Sequence, residues 1–170
     1  MILFVNIRKF STNAHPVAGL PRRLAAMVYD SLLLLALLLI ATACFLPLTG
    51  GTAITWERFP VLWLSHKLVV AAVIVGFYGI FWTRRGETLG MTSWRLRVER
   101  LDGTLLTWRD TLVRIGAAVL SWMPLGLGWI WCVVDREGRS WHDILSRTRV
   151  VVLPKTARRA RGDVANSKTR

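Results

Sequence analysis

From Leu24 to Leu46 the chain is a run of 23 residues interrupted by a single charge, Asp30. A helix rises about 1.5 Å per residue and bilayer hydrocarbon is about 30 Å thick, so about 20 apolar residues make one crossing. The run predicts a transmembrane helix over 24–46, preceded by Arg22 and Arg23 and ended by Pro47, Gly50 and Gly51. A second apolar segment, 61–82, is uncharged from Leu68 to Trp82 and carries His66 and Lys67 near one end, where a lysine can snorkel to the headgroups. Within it, Ala72 and Gly76 are spaced for close helix approach. The third segment, 111–134, holds Arg114 near its start and Pro124-Leu-Gly-Leu-Gly128 in its middle. Proline removes a backbone donor, and a broken backbone survives in lipid only where protein or a cavity covers it. This segment is therefore expected to be a kinked crossing or a re-entrant hairpin of two half-helices.

A cleaved secretory leader is the rival reading of the first run, with Ala41-Thr42-Ala43 as the small-residue site ahead of Cys44. The run exceeds a leader core of about 7–15 residues and contains Asp30, so the membrane-helix reading is preferred. Between the apolar segments, Trp94-Arg-Leu-Arg-Val98 alternates, Asp102-Gly103 signals a turn, and Thr104 to Trp108 can return. This pattern predicts a short cytoplasmic β-hairpin. Ser140 to Arg149 reads as one polar–apolar element containing His142 and Asp143. The expected fold is an all-α membrane protein with two transmembrane helices, a third broken segment and that hairpin. The chain divides into an amino-terminal cytoplasmic segment 1–16, a membrane domain 17–153 and a disordered basic tail 154–170.

Composition adds orientation. The chain is 53% hydrophobic and 19% charged, with a net charge of +13 and a mean hydropathy of +0.41. Such apolarity excludes disorder over the whole length, and it argues against a soluble nucleic-acid-binding domain. The basic residues are segregated: four precede the first run, Arg58 stands alone in 47–60, six fall in 83–110 and ten follow Val134. Basic loops stay in the cytoplasm, so the amino terminus, the second loop and the tail are expected inside. Three full crossings would export the tail, which favours a re-entrant third segment. Trp56, Trp63, Trp82 and Trp108 fall at segment ends, as interfacial anchors do. The expected partners are the bilayer, anionic lipid headgroups for the tail, and further copies of the chain or partner membrane proteins. Cys44 and Cys132 lie in apolar runs and imply no disulfide.

Asp30 is the residue with the most to explain, because an aspartate at the centre of a membrane helix costs about 2.5–3.5 kcal/mol on insertion scales. Arg23 stands seven residues earlier, which at about 100° per step returns to nearly the same face. Arg22 lies off that line. The pair predicts a charged stripe facing protein, with Arg23 neutralising Asp30. Nothing suggests an enzyme or a cofactor: His15, His66 and His142 have no metal-ligand spacing, Glu57 and Glu87 lack a paired carboxylate, and no phosphate loop or nucleophile motif occurs.

Three stretches resemble the RDD family of bacterial membrane proteins, named for one arginine and two aspartates. They are Arg22-Arg23-Leu-Ala-Ala-Met-Val-Tyr-Asp30, Gly86-Glu-Thr-Leu-Gly90 with Trp94-Arg-Leu-Arg-Val98, and Asp135-Arg-Glu-Gly-Arg-Ser-Trp-His-Asp143 with Ile-Leu-Ser-Arg-Thr148. The resemblance implies that Arg23, Asp30 and Asp143 are the named residues and form one cluster; Arg22, His142 and Arg114 are secondary candidates beside them. It departs from the usual pattern at Glu87, where Gln or Ala is common, at Met91, where Lys is usual, and at Arg147, where Gly is usual. It further implies residence in the bacterial inner membrane and a role in transport, cation/proton exchange included. The alternative is a membrane scaffold or assembly factor whose Arg/Asp cluster is structural.

Overall fold

The computed structural model describes residues 15–154. Most of the expected amino-terminal segment and nearly all of the basic tail lie outside the described residues. Helix α1 spans Leu20–Ala43 and α2 spans Pro60–Arg84. Both carry a proline in the first turn, where its missing N–H costs nothing and its fixed φ suits the helix. A short 3₁₀ turn, Leu46–Thr49, follows α1. Gly86 closes α2 at a φ of +73°, in the left-handed region that favours glycine. Both helices are long and apolar enough to cross a membrane. Val28, Leu32, Leu39, Ile40, Leu64 and Leu68 lie exposed along them, a surface that water would not tolerate and lipid would.

The third apolar segment is a bent pair. Helix α3, Leu89–Ser93, and strand β1, Leu96–Arg100, come before it. Helix α4, Trp108–Trp122, is followed by α5, Leu127–Ile130, and a 3₁₀ turn to Val133. The two arms meet at 114°. The break falls where Pro124 ends helical geometry and Gly126 takes a φ of +79°. Gly128 lets the arms close, since a Cβ there would stand 2.6 Å from that of Ser121.

The expected hairpin is corrected. Strand β1 pairs antiparallel with β2, Thr148–Val152, in the register Leu96↔Val152 to Arg100↔Thr148. The Asp102-Gly103 turn does form, with Gly103 N–H donating to Arg100 O at 2.9 Å. The returning strand does not, because Thr107 and Asp110 cap α4 reciprocally and commit the chain to helix. The stretch Ser140 to Arg149 is likewise two elements: α6, Trp141–Leu145, and the start of β2. On its other edge β2 meets Val17 and Ala18, Ala18 N–H donating to Val150 O at 2.8 Å. A small core of Ala18, Ala26, Trp82, Met91, Leu96, Val98, Leu106 and Val150 gathers where this sheet meets the helix ends.

Candidate functional site: two arginines, two aspartates and a cavity

Arg23 lies in the first turns of α1 yet is only 6% exposed. All of its donor nitrogens are used. Nε donates to Ala18 O at 2.9 Å, Nη2 to Gly138 O at 3.0 Å, and Nη1 to Asp143 Oδ2 at 2.5 Å. The guanidinium thus fastens the start of α1 to the 138–143 stretch. Asp143, fully buried on α6, has a second arginine: Arg114 Nη1 stands 2.6 Å from its Oδ1. The same Arg114 nitrogen donates to Thr148 Oγ1 at 2.5 Å, and the guanidinium lies over the Trp82 ring at 5.3 Å. Ser140 adds its amide and its hydroxyl to Asp143 Oδ2 at 3.1 and 2.9 Å.

The electrostatics of α6 follow. Burial alone would raise the Asp143 pKa, but the positive charges of Arg114 and Arg23 outweigh it and hold the carboxyl well below the usual carboxylate range. His142 goes the other way for a base. Burial and the neighbouring Arg114 charge disfavour the imidazolium and push its pKa down from 6.5 to about 3. Its Nε2 lies 2.9 Å from Ser140 Oγ. Because Ser140 gives its only hydroxyl proton to Asp143, Nε2 is the donor in that contact, and Nδ1 is the bare nitrogen. Nδ1 has no partner among the described residues.

Asp30 is held differently from the expectation that Arg23 would neutralise it. Thr88 donates its hydroxyl to Asp30 Oδ2 at 2.5 Å and the Gly90 amide donates to Oδ1 at 2.9 Å. The reason is local. Gly86-Glu-Thr-Leu-Gly90 turns the chain into α3, and at Gly90 α3 passes so close to α1 that a Cβ would collide with Ala26 O and the Asp30 carboxylate. Meanwhile Arg23 is drawn away by Asp143. Thr88, Gly90, Ser140 and Thr148 were missed as site residues from sequence. The glycine-flanked threonine and the Ser-x-x-Asp capping pattern were the available signals. Arg22, by contrast, is exposed.

Both halves open onto one cavity of about 360 Å³, lined by Arg23, Asp30, Arg114 and His142 among largely apolar neighbours that include Trp82 and Trp129. Among the described residues no group of three or more His, Cys, Asp or Glu comes together to hold a metal. The carboxylates answer instead to guanidinium, hydroxyl and amide donors. A family model described as the RDD family matches residues 17–147. The chain belongs to the RDD family. No curated protein and no solved structure matches it. The apolar helices and the family together make this RDD chain a membrane-type protein.

Proposed function

We propose that this RDD protein is a multi-pass inner-membrane component of cation- or proton-coupled transport, with Asp30 and the adjoining cavity as the ion site. The observation that carries this reading is a carboxylate buried in a membrane-length helix, 4% exposed, held by Thr88 and Gly90 rather than by an arginine. With both aspartates ionised and His142 neutral, Arg23, Arg114, Asp30 and Asp143 sum to zero charge. A proton or a monovalent cation at Asp30 leaves one net positive charge, and both together would leave two. In a low-dielectric site the two are therefore alternatives, which is the requirement for exchange. Arg23, Asp143 and Arg114 play the structural part.

In this reading α1 and α2 cross the membrane, both termini are cytoplasmic, and the α4–α5 arm re-enters. The β1–β2 pairing supports the re-entrant arm, because it joins the chain ahead of α4 to the chain beyond α5. So does the apolar tip, where Met123 is 77% and Leu125 94% exposed. Two crossings and a hairpin are too little for one bundle to rock against another, so the working unit is an oligomer or includes partner membrane proteins. Anionic headgroups engage the basic tail. No cofactor and no enzymatic step are assigned.

A second reading, a non-transporting scaffold, is favoured by the saturation of Arg23 with protein acceptors. Proteoliposomes with opposed Na⁺, K⁺ and H⁺ gradients decide between them. Transport predicts a cation-dependent internal pH change that Asp30→Asn abolishes while the protein still inserts. No flux in wild type leaves the scaffold.

A further inference from the structure

The cavity has a mouth, and its position says what enters. Of its lining residues, those exposed are Ser31 on α1 and Val119 and Trp122 on α4. The buried residues Arg23, Asp30 and Arg114 form the floor. The opening therefore lies between the flanks of α1 and α4, on the apolar surface that a bilayer would cover, and a membrane-dissolved molecule reaches it by moving sideways. At about 360 Å³ the cavity matches small-ligand sites, which run from about 300 Å³ upwards, and is too small for a helix of a second copy. The floor is dipolar with no net charge. At one pole Asp30 presents a carboxylate. At the other, Arg114 lines the cavity with its guanidinium, whose Nη1 is held by Asp143 and Thr148. A head of one sign pairs with one pole and leaves the opposite pole unmet. A head carrying both signs meets both poles.

We propose that the cavity takes the zwitterionic headgroup of a membrane phospholipid, ammonium toward Asp30 and phosphate toward Arg114, with the acyl chains leaving between α1 and α4. This rests on the membrane placement and ligand-site reading given above, but not on ion flux.

The test uses the full chain in mild detergent, offered phosphatidylethanolamine, phosphatidylglycerol and diacylglycerol with identical acyl chains, and reads bound lipid by native mass spectrometry. One phosphatidylethanolamine per chain is expected, retained about tenfold over either competitor. Asp30→Asn and Val119→Trp each lower that retention about tenfold. Val119 is exposed, so its variant keeps the wild-type melting temperature even if Asp30→Asn folds poorly. Equal retention of phosphatidylglycerol or diacylglycerol, no retained lipid, or unchanged binding in Val119→Trp overturns the proposal. Lipid selectivity without flux would sink the transport reading alone, and flux without lipid selectivity would sink this one alone.

Discussion

Thr88 gives its hydroxyl proton to Asp30 at 2.5 Å while its oxygen accepts the Met91 amide at 3.2 Å. One side chain thus caps α3 and ties it to α1. The tie is rigid, since the cap orients the hydroxyl and Gly90 brings the second Asp30 oxygen its own donor. It also explains why α3, a helix of five residues, stands in a fixed place: an isolated helix of that length does not form.

Thr88→Val removes the cap and the Asp30 donor at once and buries the carboxylate with one fewer partner. A loss of about 1–3 kcal/mol is expected, read as a lower melting temperature in detergent. Thr88→Ser, which keeps the hydroxyl, should restore most of it. If Val and Ser melt alike, the hydroxyl does not hold α3.

Asp143 is the only acceptor shared by Arg23 and Arg114 in the ion pairs of the described residues. Asp143→Asn leaves two buried guanidiniums facing one neutral amide, and breaking a buried pair in this way costs about 3–5 kcal/mol. Adding Arg114→Gln relieves the excess charge, so the double variant should be more stable than the sum of the singles by about 0.5–3 kcal/mol. A double-mutant cycle on thermal or denaturant unfolding gives that number, and strict additivity would remove Asp143 as the shared partner.

His142 makes stability depend on pH in a defined window. The folded chain holds its pKa at about 3 against an ordinary 6.5. Between those values the unfolded chain binds a proton that the folded one refuses, so stability falls as pH drops below about 6.5, by up to about 1.4 kcal/mol per unit. Asp143, also held low, adds its loss from about pH 5 downward, where the unfolded carboxyl with its ordinary 3.8 starts to bind protons. The interval from about 6.5 to about 5 therefore isolates the imidazole from that carboxylate. His142→Gln should flatten this part of the stability profile relative to wild type. A profile that keeps its slope in the variant would assign the effect to another group.

The apolar elements were legible because length and composition decide them: the 24–46 and 61–82 runs became Leu20–Ala43 and Pro60–Arg84. α1 starts earlier than its apolar run because Arg23, a charge that reads as flanking, is buried by partners 115 to 120 residues away. The break at Pro124 to Gly128 was legible for the same local reason. What pairs with what was not. Alternation in 94–98 announced a strand, but its partner lies beyond α6, and Thr107-x-x-Asp110 was the overlooked sign that the nearby return becomes helix. Helical spacing aligned Arg23 with Asp30, yet the long-range acceptor Asp143 and the hydroxyl of Thr88 decide both residues' contacts.

Arg147 sits at a φ of +52° between α6 and β2, at the position where the RDD resemblance leads one to expect glycine. A side chain in the left-handed region costs about 1–2 kcal/mol, part of which glycine's greater unfolded-chain freedom offsets. Arg147→Gly should therefore raise stability by about 1 kcal/mol. A lower melting temperature would mean that the arginine side chain contributes more than its backbone strain removes.

Sidedness can be read without any ligand. If the third segment crossed the membrane, the chain before α4 and the chain after α5 would face opposite compartments, and β1 could not pair with β2. Re-entry keeps them together and puts the Pro47–Pro60 loop alone on the far side. With Cys44 and Cys132 replaced by serine, single cysteines at the exposed positions Glu57, Asp102 and Glu137 report this directly with a membrane-impermeant maleimide on intact cells. Glu57→Cys should label, while Asp102→Cys and Glu137→Cys should label only after lysis. Labelling of Glu137→Cys together with Glu57→Cys would place β2 across the bilayer from β1, and neither the sheet nor the Arg23–Asp143 contact could then exist in the membrane.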